Sequence, residues 1–504
     1  MKAEVCNLKE RLIYVAKDAA CGGDGSAARP YADFVSAFEA AKAALRTLAE
    51  PENVVISLKS GEYFIPRTLH LTGEDMPLAG SHLTVRGEEG AVLSSLAPLS
   101  ASDFVPVEGK PNVYEMPLLA DDGTARSNRY LYVDGKIAPL AMSGSTRAAD
   151  PTTCRMRFER DYDASGKCEN PIAACKMYLD KKLVMPLVGD KTQGRVAVSA
   201  ELHTVSEWCY NIIHIDAVDL DDVAVYRVDD PKDAWFIFEN EGVVPPEEHV
   251  AVYLRPEEYK RFCMPGGFPF RARHYFLQNA LAFLNAENEC YYDRALGKLY
   301  YYTEGDIAAH RYEMASTARL FWLKNVDGVT FEGVTFTGTD DPRLSEFGHM
   351  GGQAADESYR KDMLDAAAVY GRHCNNLTFR GCTFRDLACE GVSLRGRVEE
   401  FTVTGCTFRR IGATAVRSGS PSGSWGKDIG NLNVTVTNND FDQTGLIYYC
   451  APTMFFASTK NADICYNTIS NCPYSGIAMG WCWNPTSIPR KDRVNLDNIH
   501  INDN

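Results

Sequence analysis

Nowhere does this chain approach the ~18 consecutive apolar residues of a membrane-crossing helix. Its start, MKAEVCNLKERLIYVAKD, has no apolar core of the kind that opens a secretory leader. The expectation is a soluble, cytoplasmic chain with no membrane partner, the alternative being the mature domain of a secreted protein. Basic charge is scarce too: 52 Lys and Arg stand against 67 Asp and Glu, a net charge of −15, and no basic run interrupts the acidic background. Phosphate binding needs a basic footprint, so nucleic acid is excluded as a partner. Sixteen cysteines are present without a single CxxC pair, which argues against zinc and thioredoxin-type chemistry. Several of them, such as Cys382, Cys406 and Cys465, lie in apolar strand-like runs and read as small buried hydrophobes of a reduced compartment. No metal or other cofactor is expected.

What the chain does have is a repeat. VTFEGVTF (329–336), LTFRGCTF (377–384), FTVTGCTF (401–408), VTVTNNDF (434–441), ADICYNTI (462–469) and NIHINDN (498–504) share one frame at spacings of 24 to 48 residues. Self-similarity at such periods is the mark of a solenoid. Each copy is short and alternating, with β-branched and aromatic residues at every second place, so the copies are strands. Position six reads Val334, Cys382, Cys406, Asn439, Asn467 and Asn504. Asparagines stacked on successive coils can form an amide ladder. The pattern predicts an all-β fold, a right-handed parallel β-helix, in which a coil buries its inward face only against its neighbours. Asn504 falls on the ladder position of an unfinished coil, so the natural chain is expected to continue beyond it.

Residues 1–101 read as a strand, a capping helix and the first coils. In ADFVSAFEAAKAALRTL, Phe34, Ala37, Phe38, Ala41 and Leu45 recur at helical spacing. Over residues 102–319 the coil rhythm is replaced by hairpin patterns, YLYVDGKIAPLA with its Asp-Gly turn and ECYYDRALGKLYYYTEGD. This region is expected to be an inserted antiparallel β domain, and 320–504 the main run of coils.

Five landmarks in this order resemble carbohydrate-active β-helix proteins of the glycoside hydrolase family 141 type: YVAKDAACGGDGS, SGEYFIPRTLHLTGEDM, YLYVDGKIAPLA, YFLQNALAFLNAENECYYDRALGKLYYYTEGD and NCPYSGIAMGWCW. The resemblance spans nearly the whole chain and implies glycoside hydrolysis on a β-helix. Where such proteins carry an acid ahead of the PYSG stretch this chain has Asn471, so either the acids lie elsewhere or part of the catalytic apparatus is missing from this chain.

Glycoside hydrolysis needs two carboxyl groups, ~5–5.5 Å apart for retention and wider for inversion. Aligning DAAAVYGR with EGVSLRGR on their shared Gly-Arg ends places Asp365 and Glu390 in one column of neighbouring coils, ~4.8 Å apart. This is the expected catalytic pair, facing an open groove; Asp440 with Asp442, and Asp386, are rivals. Arg395 and Arg417 align one coil apart, fitted either to bind an acidic sugar or to neutralise Glu390. Tyr474, Trp481 and Trp483 flank a Gly-rich turn and suit stacking on a sugar, and His349, in FGHMGGQAADE, sits in a loop able to lean over the groove. The leading function is a glycoside hydrolase acting on polysaccharide or oligosaccharide fragments. A polysaccharide lyase on the same fold and a non-catalytic carbohydrate-binding β-helix are the alternatives.

Overall fold

The computed structural model describes residues 8–120, 122–143, 175–205, 210–223, 249–258, 274–351, 366–419, 430–480 and 496–504. Three parallel sheets run side by side along the chain. The first has nine strands, from Glu10–Val15 to Asp497–Asn502; the second has seven, from Gly61–Phe64 to Thr468–Ser470; the third has seven, from Leu69–Thr72 to Ile477–Gly480. One coil visits each sheet once, as Asn375–Arg380, Thr383–Leu387 and Glu390–Arg395 do.

The repeat frame is the strand register of the first sheet. Val329, Leu377, Phe401, Val434, Ala462 and Ile499 are paired in sequence from coil to coil. Because side chains alternate across a strand, equal register stacks like on like. Phe336, Phe384, Phe408 and Phe441 form a column with centroids 4.6, 4.7 and 4.8 Å apart and planes within 14° of parallel. At position six, Asn439 Nδ2 donates to Asn467 Oδ1 at 2.9 Å, and Asn467 Nδ2 donates to Asn504 Oδ1 at 2.9 Å. Asn439 Oδ1 accepts the backbone N–H of Cys406 at 2.8 Å, carrying the ladder into the cysteine pair above it. Where cysteine replaces asparagine, the Cys382 N–H points at Cys406 Sγ, 3.4 Å away.

The core is capped by the helix Phe34–Arg46, whose Asp33 accepts the Ser36 N–H at 2.8 Å. Its buried side chains are Phe34, Ala37, Phe38, Ala41 and Leu45, the five that the spacing picked out. Phe34 and Phe38 meet Phe321 edge-on.

The chain leaves the coil after the strand Ala91–Ser94 and rejoins it at Arg319–Lys324. Between these points lie antiparallel sheets, the largest built around Arg195–Val205 and Tyr210–Val223. The Asp-Gly hairpin joins Leu131–Val133 to Lys136–Ile137. Both turn residues have positive φ, 51° and 75°, as the tight two-residue turn requires. The insert docks on the corner between the second and third sheets, where Tyr210 and Ile212 pack with Leu344, Cys389, Ala413 and Tyr448.

Asn467→Ala removes the middle rung of a buried amide ladder and should cost about 1–3 kcal/mol. Phe408→Ala opens the aromatic column and should cost about 3–5 kcal/mol. Denaturant unfolding midpoints measure both, and losses in the reverse order would contradict this account of the core.

Candidate active site

Glu390 opens its strand in the third sheet, directly after the corner where the insert docks. It is 1% exposed. Arg417 Nε donates to Glu390 Oε1, and Arg395 Nη2 lies 3.6 Å from Oε2. Arg417 is fully buried; its guanidinium sits 4.9 Å from the Phe455 ring centroid, and its Nη2 donates to Thr414 Oγ1 at 3.4 Å. Among the described residues, Glu390 Oε2 receives no hydrogen bond.

This geometry corrects the alignment made from sequence. Gly371 and Arg372 pair with Leu394 and Arg395, so the residue opposite Glu390 is Ala367, two places after Asp365. A slip of two leaves every inward residue inward, so the apolar pattern cannot detect it; the inward Val369–Val392 pairing belongs to the true register. Asp365 itself lies outside the described residues, as do Trp481 and Trp483. The arginines shift likewise: Arg395 pairs with Arg372, and Arg417 with Ser393. They are not stacked one coil apart but converge on Glu390 from two registers. Glu390 is enclosed rather than set in an open groove. His349 is likewise not in a loop: it is buried in the strand His349–Gly351, pairs with Ile212 of the insert, and meets the Tyr448 ring edge-on at 4.7 Å. Tyr474 is half-buried in the turn before Ile477–Gly480, three strands further along the third sheet.

The rival carboxylates belong elsewhere. Asp440 and Asp442 lie on the second sheet, against Arg409 at 2.7 and 3.6 Å. Asp386 is buried under the fork of Arg410, at 2.6 and 2.7 Å.

Several residues at the docking corner carried no periodic signal in the sequence. Asp341 is clasped by Arg343 at 2.7 and 2.8 Å and accepts from the Tyr448 hydroxyl. Burial works to raise its carboxyl, but Arg343 outweighs burial and holds it below the ordinary range. Burial also pushes the Cys389 thiol well up, with Asp341 and then Glu390 adding to the effect. Both carboxylates therefore lie within electrostatic reach of one thiol. From the insert, Arg129 forks onto Glu201 with both contacts at 2.7 Å, and His203 Nε2 lies 3.1 Å from the same carboxylate. Asp340 joins the two parts, accepting the backbone N–H groups of Arg129, Tyr130 and Asp341 and the Asn128 amide. The DDPR run directly after a coil strand was the available clue, since acids rarely open a buried turn without a partner.

A family model described as a right handed beta helix region matches residues 320–482. A solved structure named "Glycoside hydrolase" superposes with a TM-score of 0.73 at 22% identity, covering 94% of this chain and 80% of the other. No curated protein matches. The chain is a right-handed parallel β-helix.

On this β-helix a cluster of buried ionisable groups lies at one corner, where each must be paired to offset the loss of water. No three His, Cys, Asp or Glu side chains come together as a metal site among the described residues.

Arg417→Met leaves Glu390 buried beside Arg395 alone and should cost about 3–5 kcal/mol. The double change with Glu390→Gln should cost less than Arg417→Met by itself. Unfolding free energies of the four proteins test this, and additive losses would remove the ion pair as the cause.

Burial raises Asp340 to about 6, against the opposing backbone N–H of Arg129. A carboxyl raised on folding contributes fully below its unfolded value near 3.8 and loses that contribution as pH rises through about 6. The stability advantage of wild type over Asp340→Asn should therefore shrink by roughly 2–3 kcal/mol between pH 4 and 7. A flat or growing difference in a pH series of denaturant titrations would reject this.

Proposed function

We propose that the protein is a glycoside hydrolase whose reaction centre lies at the corner between the second and third sheets, with Glu390 as the reacting carboxylate. The observation that carries this reading is Glu390 Oε2. It is an oxygen of a buried carboxylate that takes no hydrogen bond among the described residues, while Oε1 is held by Arg417. Leaving a buried charged oxygen without a donor is costly. A fold that fixes one oxygen by a hydrogen bond, and leaves the other with only the Arg395 guanidinium 3.6 Å away, keeps acceptor capacity there for a reacting partner.

A carboxylate flanked by two guanidinium groups suits the nucleophile or base of glycoside hydrolysis. Arg395 and Arg417 orient it and meet charge that develops beside it. Asp365 is the proposed acid, on the strength of its place in the chain ahead of Ala366. The likeness to a glycoside hydrolase structure and the β-helix family match support the class of reaction. The network of Asp341, Arg343 and Tyr448 holds the corner still.

Screening the full chain against aryl glycosides and acidic oligosaccharides tests the proposal. Glu390→Gln should lower kcat/KM for the substrate found by about 10²–10⁴-fold while the circular dichroism spectrum is kept. Near-normal turnover in that variant ends the assignment. Products with an unsaturated uronic end would indicate a lyase, and binding without turnover a carbohydrate-binding protein.

A further inference from the structure

Glu390 and Ser393 stand three residues apart on the strand Glu390–Arg395, a spacing that on a regular strand sends two side chains to opposite faces. Here they meet on one face. Val392 and Leu394 belong to the core, so Ser393 between them points outward. Arg417 is the register partner of Ser393 on the next strand and shares its side. Yet Arg417 Nε, the guanidinium nitrogen nearest the backbone, holds Glu390 Oε1, and Arg395 Nη2 comes within 3.6 Å of Oε2. The Glu390 carboxylate is therefore drawn out to the side of Ser393 and toward its level.

Ser393 is fully buried, and among the described residues its hydroxyl has no hydrogen-bond partner. Glu390 Oε2 has none either. A buried hydroxyl left unpaired costs free energy that an alanine would not, so the fold gains nothing from a serine here. Three residues of strand separate the two Cα atoms by ~10 Å, and the longer glutamate side chain covers part of that distance. One oxygen hydrogen-bonded to both groups bridges a gap of about 5–6 Å. A buried water needs two to four polar partners, and these two atoms together with a bound sugar supply them.

We infer that Ser393 is a further catalytic residue, which together with Glu390 Oε2 holds the hydrolytic water, so that Glu390 acts as base and the sugar is released with inverted anomeric configuration. The inference rests on the hydrolase reading above and decides between the two roles left to Glu390 there. A water that attacks a sugar must turn a lone pair to the anomeric carbon, so both its hydrogens point away. One is donated to Glu390 Oε2 and the other to Ser393 Oγ. As the bond from water oxygen to anomeric carbon forms, the bond from that carbon to the departing oxygen breaks. Glu390 takes the first hydrogen as a proton, and the acid proposed above protonates the departing oxygen. A carboxylate 1% exposed, with a guanidinium group on either side, is more open to a water than to the carbon of a sugar ring. Room for that water beside the base is what separates inversion from retention.

The test uses the full chain and the substrate found in the glycoside screen. Proton NMR of the first-formed product should show the inverted anomer, and added methanol should give no methyl glycoside. Ser393→Ala should lower kcat at least about tenfold with KM nearly unchanged, while its denaturant midpoint equals or exceeds that of wild type, because an unpaired buried hydroxyl has gone. Thr337→Val removes another buried hydroxyl without a partner among the described residues, on the second sheet, and should leave kcat unchanged. A retained anomer, a methyl glycoside or wild-type kcat in Ser393→Ala overturns the inference and leaves the hydrolase standing. Loss of stability together with activity in Ser393→Ala makes the serine a structural residue and overturns it too. Near-normal turnover in Glu390→Gln, or no turnover of any glycoside by wild type, removes the hydrolase reading and the inference with it.

Discussion

Every feature of this protein hangs on the backbone register between one coil and the next. The parallel ladders of the three sheets fix which residue lies over which, and side-chain periodicity does the rest. Once Val329, Leu377, Phe401 and Val434 are in line, the phenylalanines must stack and the asparagines must meet amide to amide. The same ladder sets Glu390 over Ala367 and Arg417 under Ser393. An enzyme built on such a scaffold inherits its spacing, because reacting groups on successive coils start ~4.8 Å apart before any loop is shaped around them.

How far the sequence could be read follows from the same periodicity. The fold was legible because Phe336, Phe384, Phe408 and Phe441, and Asn439, Asn467 and Asn504, are one position sampled repeatedly. The capping helix was legible because Phe34 to Leu45 recur at a different period. Glu390, Arg395 and Arg417 were correctly gathered into one place, yet their exact partners were not, since the Gly-Arg ends of two strands suggested a match two residues out of step. A one-residue error would have turned Val392 to solvent and been caught; a two-residue error changes nothing that apolar pattern can see. Arg129, Glu201 and His203 lay beyond reach for another reason. They come from antiparallel strands whose approach to the coil is a matter of tertiary packing, and no spacing along the chain encodes it.

The distribution of charge separates two uses of ion pairs. Arg86 and Glu332 are half-exposed and Arg380 exposed, and such pairs contribute little each. Arg129 with Glu201 and Arg417 with Glu390 are buried, as is Asp341 under the half-buried Arg343. Pairs of that kind are weak as sources of net stability but severe in what they forbid, because any arrangement that separates the partners strands a charge away from water. Each of these pairs lies within the insert or within the coil, so it fixes its own part, and the docking itself is held by the Asp340 carboxylate on the Arg129 and Tyr130 N–H groups and by the apolar cluster around Tyr210 and Ile212.

The insert also shapes how the chain must reach this state. Ser316 donates its hydroxyl to the Ser95 carbonyl at 3.0 Å across 221 residues of sequence, and beside it Leu96–Leu99 pairs antiparallel with Tyr312–Ala315. One coil of the solenoid is thus interrupted by an excursion longer than many domains. Closing a disordered loop of that size before any contact rewards it is slow, whereas an excursion that has already folded presents its two ends side by side. Assembly of the coils on either side is then held back until the insert has formed its own strands. A solenoid that would otherwise nucleate anywhere along its length acquires a defined order of events, with the insert as its timing element.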